Sequence, residues 1–366
     1  YGSYDVIVCG GGTSGVSAAI AAARTGAKTL LIERLGQLGG QMNVSGPPGF
    51  SFAHLFNGRH EQIIAGLAEE THGRLLREGN ALPHILAEHR NHYTFSYVDP
   101  DWWGILIYKM CQEDGVELML HSLVTEVIRQ EDEIKGVVCE HPGGKSIVLG
   151  KVVIDCTGEG EVCVQAGAEY EIAPVEILEP SSVAFTADGV EWKRVIEYMH
   201  DHMDDFLFNQ LRNPYSEWTD EKIRKRVSEI DDILEIGEVM GYLGLKKHAT
   251  WTGEWHNMSG VGFFLMPKGG HILAHFQHSS QEDQCDCTKV RDITRVEIEC
   301  RRQNMMAWRF FKKYIPGFEH AYIVRTCPEA RIRETRRIMG DYVLTFDDIK
   351  EARKFPDVIG KSAFPT

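Results

Sequence analysis

The first 40 residues carry a glycine pattern that few folds accommodate. Gly10, Gly12 and Gly15 have the spacing G-x-G-x-x-G and follow residues 5–9, an apolar run typical of a buried parallel strand. In this pattern the first glycine makes the tight turn out of the strand, and the second lets the backbone approach a pyrophosphate. The third lets the following helix pack closely on the sheet. The pattern therefore predicts a strand, a phosphate-binding turn and a helix, in that order.

The residues that follow complete this unit. Thr13 and Ser14 lie in the first turn of the predicted helix, whose N–H groups and positive dipole end attract phosphate. Residues 29–32 form a second apolar run, and Glu33 closes it. An acid at this place, about 20 residues after the glycines, accepts hydrogen bonds from an adenosine ribose. Because an ordinary glycine-rich turn does not need this context, we predict dinucleotide binding.

Composition limits the other possibilities. The 366 residues are too many for one core and indicate two domains or three. The net charge of −14 argues against nucleic acid or an anionic membrane as a partner. No apolar run approaches the roughly 18 residues of a membrane span. Nine cysteines, an odd number, indicate reduced thiols rather than a disulfide framework, which favours a cytoplasmic location.

Two further stretches are predicted to lie beside the cofactor. Residues 34–41 contain a second glycine cluster with Gly39 and Gly40, which would let the backbone run alongside an extended ligand; the alternative is a flexible loop. Residues 151–155 read as a β-branched strand that leads to Thr157 and Gly158. Ligands of open α/β sheets bind beyond the carboxyl ends of such strands, so this turn is a second predicted contact.

Residues 5–15, Glu33 and residues 38–40 together resemble the FAD-dependent oxidoreductase family with a flavin domain of the glutathione-reductase type. The resemblance implies FAD as the cofactor and hydride transfer between a small organic substrate and flavin N5. It fits this family better than nicotinamide-dependent dehydrogenases, in which residues 38–40 are not expected. The implied FAD contacts, including a backbone contact of Val124 to adenine, are Gly10, Gly12, Thr13, Ser14, Gly15, Glu33, Arg34, Gly39, Gly40, Gln41, Val124, Thr157 and Gly158.

A basic segment near the end of the sequence supplies candidate catalytic groups. Four arginines lie around Glu334: Arg331, Arg333, Arg336 and Arg337. Guanidinium groups suit carboxylates and would stabilise an anionic reduced flavin or substrate; the alternative is a salt-bridged structural turn. The segment resembles the Arg-Glu-Thr-Arg-Arg signature of the same family. We select Arg333 and Arg337 as anion stabilisers and His271 for proton transfer, although a histidine in a hairpin is more often structural.

The order of strands and helices predicts an α/β fold. We expect a doubly wound parallel sheet of Rossmann type with a second, α+β domain. The resemblance adds a three-stranded antiparallel piece over the nucleotide domain. The predicted parts are an FAD domain of residues 1–45 and 96–170, an inserted segment of residues 46–95, a substrate domain of residues 171–325 and an arginine-rich return segment of residues 326–366.

The resemblance runs from Tyr4 to about Gly360, and members of the family continue with a segment that completes the flavin domain. We therefore expect a fragment, a second chain that supplies this piece, or an incomplete cofactor site, and we expect an oligomer. The alternative function is a flavin-binding electron-transfer subunit that needs a partner chain. Since the sequence has no clustered C-x-x-C ligands, the next electron carrier would lie on that partner.

Two groups of residues resemble metal ligands: His84, Glu88, His89 and His92, and the pair Cys285 and Cys287. The first group has the spacing of neither H-E-x-x-H nor H-x-x-E-H. It is better interpreted as the polar face of a helix over residues 82–89, which follows another helix over residues 61–70. The cysteine pair lacks a second pair at suitable spacing and is interpreted as an exposed loop. We therefore predict no metal site.

Overall fold

A computed structural model describes residues 1–44, 55–57, 59–86, 94–205, 219–231, 258–268, 271–280 and 285–362. The chain forms two compact units. The first comprises Tyr1–Val44, Pro100–Leu178 and Glu334–Leu344, and the second comprises Ser45–Asp99, Glu179–Arg333 and Thr345–Thr366. The roles predicted for the two parts, flavin binding and substrate binding, stay predictions.

The described strands are β1 (Gly2–Cys9), β2 (Thr29–Ile32), β3 (Ile85–Leu86), β4 (Thr94–Phe95), β5 (Glu117–Met119), β6 (Leu123–Gln130), β7 (Glu133–His141), β8 (Gly144–Asp155), β9 (Tyr170–Ile172), β10 (Ser182–Asp188), β11 (Met258–Lys268), β12 (His271–Ser280), β13 (Tyr322–Thr326) and β14 (Arg336–Ile338). The described α-helices are α1 (Thr13–Arg24), α2 (Leu67–Arg77), α3 (Pro100–Glu113), α4 (Glu161–Gln165), α5 (Trp192–Asp201), α6 (Asp220–Ser228), α7 (Val290–Tyr314) and α8 (Phe346–Lys350). Short 3-10 turns lie at Gly40–Met42, Val175–Ile177 and Met203–Asp205.

A six-stranded sheet in the order β5-β2-β1-β8-β7-β6 organises the first unit. The first four strands in this order are parallel, as the alternation of strands and helices predicts. Ile7, Leu30 and Ile32 are buried in one core with Val137 and Val148 from the antiparallel part. Because short apolar runs with both faces covered favour parallel strands, the sequence of β1 and β2 accounts for their central place.

The three-stranded antiparallel piece that the resemblance implies is present as β6, β7 and β8, and it is hydrogen-bonded to the parallel strands through β8. Strand β8 pairs in parallel with β1 along one side and antiparallel with β7 along the other. Val148, for example, faces Gly2 of β1 and Val137 of β7. Strand β8 is 12 residues long and joins the antiparallel piece to the parallel strands, while the placement of that piece over the nucleotide domain stays a prediction.

A four-stranded antiparallel sheet in the order β11-β12-β10-β13 lies in the second unit, with α7 packed on β10 and β12. Asn304 of α7 donates a hydrogen bond from Nδ2 to the carbonyl oxygen of Val183 at 3.0 Å. The buried side of this helix includes Val296, Cys300, Ala307 and Phe311, spaced as an amphipathic helix requires. The hairpin expected around His271 is present and is formed by β11 and β12.

Two helix predictions were wrong in part. The helix expected over residues 61–70 begins only at Leu67 and ends at Arg77. Gly66, just before the helix, has φ +67°, which is not a helical conformation, so the helix cannot extend to residues before Leu67. The helix expected over residues 82–89 is not formed at its start, since Ile85–Leu86 pairs with Thr94–Phe95 as a short ladder. Residues 87–89 lie outside the described residues.

The cysteine prediction was also wrong in one respect. Cys285 and Cys287 are buried, not exposed, and pack with Val183 and Val296 in the core of the second unit. Burial raises the pKa of the Cys285 thiol to about 12, so the thiol stays protonated at neutral pH. Within the described ranges, no helix combines the length and apolar character needed to cross a bilayer.

Candidate functional site

Three parallel strands of the first unit end at the same level. Cys9 of β1 is in register with Ile32 of β2 on one side and with Asp155 of β8 on the other. The backbone N–H of Gly10 donates to the carbonyl oxygen of Ile32 at 2.8 Å, and that of Cys156 donates to Cys9 at 2.7 Å. Ligands of open α/β sheets bind beyond such carboxyl ends. The register therefore brings the predicted cofactor segments to one edge of the sheet.

The first glycine turn has two positions that exclude any side chain. A Cβ at Gly10, which has φ +98°, would lie 2.3 Å from the carbonyl oxygen of Cys156. A Cβ at Gly15 would lie 1.7 Å from the carbonyl oxygen of Gly10, so α1 needs a glycine there to pack this closely. At Gly12, by contrast, a Cβ would meet nothing nearer than Gly40 Cα at 3.9 Å. Open space thus lies beside the glycine that is predicted to face the pyrophosphate.

The first turn of α1 is suited to an anion. Gly12 is the N-cap, and no side chain within the described residues caps this helix end by a hydrogen bond. The first turn contains no acidic residue, while Thr13 is half-buried and Ser14 is exposed. Free N–H groups at a helix start, together with the positive dipole end, form an anion site.

Glu33 is buried at the end of β2, with 9% of its surface exposed. Its Oε2 accepts a hydrogen bond from the N–H of Gly11 at 2.6 Å, and its Oε1 accepts one from the N–H of Leu35 at 2.8 Å. A carboxylate has about four acceptor positions, so two remain for ribose hydroxyl groups. The two backbone bonds hold the carboxylate in one orientation; Arg34 beside it is exposed.

The second glycine segment lies directly against the first. The N–H of Gly39 donates to the carbonyl oxygen of Gly11 at 2.8 Å, and Gly39 forms a parallel bridge with Gly12. Gly39 has φ +114°, and a Cβ there would lie 2.3 Å from the ring of Trp103. A Cβ at Gly40 would lie 2.9 Å from Gly12 Cα. This segment is therefore hydrogen-bonded and closely packed. Gln41, in the short 3-10 turn that follows, is exposed.

Two residues that sequence reasoning missed hold this segment in place. The hydroxyl of Tyr108 donates to the carbonyl oxygen of Gly36 at 2.9 Å and accepts from the N–H of Leu38 at 3.1 Å. Asn43 is buried, and its Nδ2 donates to the carbonyl oxygen of Leu38 at 2.8 Å. The Tyr108 contacts reach backbone about 70 residues away, and the Asn43 contact reaches backbone five residues away. No spacing in the sequence indicates either of them.

Asp155 organises the turn after β8. Its Oδ1 accepts hydrogen bonds from the hydroxyl of Thr157 at 2.6 Å and from the N–H of Thr157 at 3.2 Å. Its Oδ2 accepts one from the N–H of Cys163 at 2.8 Å. The Thr157 hydroxyl in turn accepts from the N–H of Glu161 at 3.0 Å. Gly158 has φ +71° with nothing within 4 Å of a Cβ, so the turn is rigid yet open at this position. An aspartate two residues before a threonine is a turn signal that points to this role.

The arginine-rich segment meets the same turn. Thr335 donates a hydrogen bond from its hydroxyl to the carboxylate of Glu159, and Arg336 donates to the backbone carbonyl oxygen of Glu159 at 3.1 Å. Burial raises the pKa of the Glu159 carboxyl above its usual range, and the Thr335 hydrogen bond opposes that rise. The guanidinium of Arg336 also lies 5.5 Å from the ring centre of Tyr170. The segment is therefore tied to the residue that follows Gly158.

The two selected arginines are both in ion pairs. Nε of Arg337 lies 3.2 Å from Glu171 on the paired strand β9, and its Nη1 lies 3.4 Å from Glu334. Nη1 of Arg333, in the second unit, donates to Glu179 at 3.0 Å. These pairs are what the alternative of a salt-bridged turn requires; a catalytic role for either arginine stays a prediction.

The two remaining predicted site residues lie in strands. Val124 is half-buried in β6, paired with Cys139, and packs on the core of the first sheet. His271 begins β12 opposite Lys268 of β11. Their contacts with a cofactor or a substrate stay predictions.

The family of the chain follows from its sequence as a whole. Residues 5–366 match the family model described as FAD dependent oxidoreductase. The chain belongs to this family. Its cofactor is FAD, and the site fits FAD, with a buried acid, an uncapped helix start and a glycine beside open space. The prediction of an FAD-dependent oxidoreductase is confirmed; the glutathione-reductase type of flavin domain and the arginine signature stay predictions.

Comparisons with individual proteins give only distant similarity. No curated protein matches the chain. Among solved structures, a geranylgeranyl bacteriochlorophyll reductase-like protein from Thermoplasma acidophilum shares 16% identity over 90% of this chain and 66% of its own, with a TM-score of 0.45. The myxobacterial chondrochloren halogenase CndH shares 14% sequence identity over 91% of this chain and 64% of its own, with a TM-score of 0.47. The p-nitrophenol 4-monooxygenase PnpA from Pseudomonas putida DLL-E4 shares 13% sequence identity over 90% of this chain and 67% of its own, with a TM-score of 0.44. The chain spans about two thirds of these structures, and likeness at this level does not extend to substrate or reaction.

Proposed function

We propose that the edge of the first sheet binds FAD and that the protein transfers a hydride between a small organic substrate and N5 of this flavin. The observation that carries the proposal is the common level at which β1, β2 and β8 end. That register gathers both glycine segments, the buried acid and the turn after β8 around one edge. The family match does not support the alternative of an electron-transfer subunit.

Each segment has a role in this proposal that its geometry supports. Gly12 and the start of α1 accept the pyrophosphate, because open space and uncapped N–H groups lie there. Glu33 binds the adenosine ribose through its remaining acceptor positions. The segment that contains Gly39 and the turn that contains Gly158 would run beside the ribityl chain and flavin ring. When bound, FAD supplies the hydride chemistry, and the protein supplies orientation and electrostatics.

Among the selected catalytic residues, Arg333 has an N–H group that is available to a ligand. Its Nε is buried and makes no hydrogen bond with a described residue. Buried donors are normally satisfied, so a ligand acceptor is a reasonable partner for this N–H. Arg337 already pairs with two carboxylates. We therefore assign anion stabilisation to Arg333 first and to Arg337 second, and we keep His271 as the candidate for proton transfer.

The proposal is tested by an absorption spectrum of the purified protein and by identification of the released ligand. We expect a yellow protein that releases FAD on denaturation. Anaerobic mixing with panels of alcohols, amines and hydroxy acids should then bleach the flavin band for one class of substrate. A protein that takes up no FAD under any refolding condition would contradict the proposed binding edge. A flavoprotein that no organic donor reduces, and whose reduced form no organic acceptor reoxidises, would contradict the hydride-transfer reaction.

A further inference from the structure

Three potential metal ligands from separate segments lie together in the second unit. Glu69 and His72 are one turn apart on α2, and His84 lies just before β3. Each offers one ligand atom, and these atoms all lie within 4.8 Å of one another. We propose that Glu69, His72 and His84 bind a divalent transition-metal ion. The proposal is independent of FAD binding.

The spacing of the ligand atoms suits a small ion. Glu69 Oε1 lies 3.9 Å from Nδ1 of His72, and Glu69 Oε2 lies 3.0 Å from Nε2 of His84. Ligand atoms around a tetrahedral zinc ion, each about 2.1 Å from the metal, are about 3.4 Å apart. The two observed distances, each to a different oxygen of the Glu69 carboxylate, lie on both sides of this value. The Glu69 side chain, which is 38% exposed, has the freedom to make the adjustment.

A second layer of contacts orients His72. Its Nε2 lies 3.0 Å from the carbonyl oxygen of Leu82 and 2.7 Å from Oγ of Ser96. The Ser96 hydroxyl itself donates to Leu82, so Nε2 is the protonated nitrogen that donates to these acceptors. Nδ1 then presents its lone pair towards Glu69. Metal-binding histidines characteristically donate their other ring N–H to a backbone carbonyl in this way.

His72 is almost completely buried, with 2% of its side chain exposed. An Nδ1 lone pair directed towards a carboxylate places two electron-rich groups face to face. A cation between them removes that repulsion.

His84 completes the group. Its ring centre lies 4.0 Å from that of His72, and the ring of Phe56 packs edge-on at 5.2 Å. Its Nδ1 is buried and makes no hydrogen bond with a described residue. At 3.0 Å, Nε2 and the Glu69 carboxylate need a proton or a metal ion between them. Gln62 donates to the same carboxylate oxygen at 3.0 Å and helps to fix it.

The chemistry of the ligands defines the class of ion. Two imidazoles and one carboxylate bind zinc in open sites and also bind iron(II), with further positions left for water. The exposed side of Glu69 provides the route by which an ion and its water enter. Because calcium and magnesium prefer oxygen ligands only, they are poor candidates.

The sequence pointed to different partners for His84. Grouping it with Glu88, His89 and His92 assumed a helix over residues 82–89. The strand Ile85–Leu86 interrupts that helix, and His84 meets two residues of α2 instead. Glu88, His89 and His92 lie outside the described residues.

The test uses the whole protein with FAD, stripped of metal by a chelator and titrated with Zn²⁺ in a calorimeter. Zinc content is measured again after gel filtration. We expect one tight Zn²⁺ per chain, and an affinity lower by at least about 100-fold in Glu69→Gln and His84→Gln. Ser96→Ala changes only a partner of His72 and should weaken binding by roughly 10-fold.

Three control variants separate this site from other ligands. Glu70→Gln changes the neighbouring acid, and His320→Gln removes an exposed histidine; both should bind Zn²⁺ like the parent. Cys285→Ser tests whether thiols hold the ion. Absence of tight Zn²⁺ binding in the parent would refute the proposal, as would binding that survives both Glu69→Gln and His84→Gln. If His84→Gln does not fold, the isosteric Glu69→Gln decides alone.

Discussion

Replacing Gly15 by alanine should lower the stability of the protein, whereas replacing Gly12 by alanine should weaken FAD binding and leave stability nearly unchanged. Both glycines belong to one turn, and each substitution adds one methyl group. At Gly15 the new Cβ would lie 1.7 Å from a backbone carbonyl oxygen, which has no rotamer to escape into. At Gly12, where φ is −70°, the new Cβ would lie 3.9 Å from its nearest neighbour. Space at Gly12 is what a bound pyrophosphate would use.

The magnitudes follow from these contacts. Alanine gains about 1 kcal/mol of helix propensity over glycine inside α1, but overpacking costs typically about 1–3 kcal/mol. Because the contact at Gly15 involves fixed backbone, we expect a net loss of about 2 kcal/mol in the free energy of unfolding. Gly12→Ala should change apoprotein stability by less than about 1 kcal/mol, as alanine is only a weaker N-cap than glycine. Its methyl group would still crowd the pyrophosphate, and FAD affinity should fall about 10- to 100-fold.

The assay compares the two variants with the parent in two measurements. Denaturant unfolding of the apoproteins reports stability, and quenching of flavin fluorescence reports FAD affinity. Parent-like FAD affinity in a folded Gly12→Ala variant would refute the place assigned to the pyrophosphate. A Gly15→Ala variant as stable as the parent would refute the packing of α1 on the turn.

Three further results are expected. Glu33→Gln replaces an acceptor by an N–H₂ group that faces backbone N–H groups, so FAD affinity in a fluorescence titration should fall by at least about tenfold; unchanged affinity would remove Glu33 from the ribose site. Arg333→Met removes a positive charge and should lower the flavin midpoint potential by about 30 mV with flavin content unchanged. The control variant Arg194→Met breaks an exposed ion pair and should leave the potential unchanged. A potential in Arg333→Met equal to that of the parent would contradict the role of Arg333. Burial raises the pKa of Glu159 in the folded protein above 4.5. The contribution of this group to the free energy of unfolding is therefore full below pH 4.5 and is lost as pH rises through the folded-state pKa. Glu159→Gln should therefore gain stability over the parent at pH 7 and lose that advantage towards pH 4.5; parallel pH profiles in denaturant unfolding would exclude this.

Much of the first unit follows from local sequence. Local sequence accounts for the apolar runs that become β1 and β2, for the glycine spacing and for Glu33. Gly10 and Gly15 lie against backbone that a Cβ would meet, Gly12 lies beside open space, and the acid follows the second strand. The prediction of an FAD-dependent oxidoreductase rested on these residues and on the family resemblance, and it is confirmed. The resemblance implied a three-stranded antiparallel piece, and the structure contains it as β6, β7 and β8.

Only the tertiary structure decided the contacts between segments that are distant in the chain. The sequence contains no signal that β8 pairs with strands on both sides, in parallel with β1 and antiparallel with β7. Tyr108 holds a loop about 70 residues away, and Cys285 is buried by β10 and α7, which lie on either side of it in sequence. His84 meets Glu69 and His72 only because a two-residue strand interrupts the expected helix. Periodicity and turn residues are local properties and determine the elements; the partners of each element depend on packing, which is set by the free energy of the whole chain.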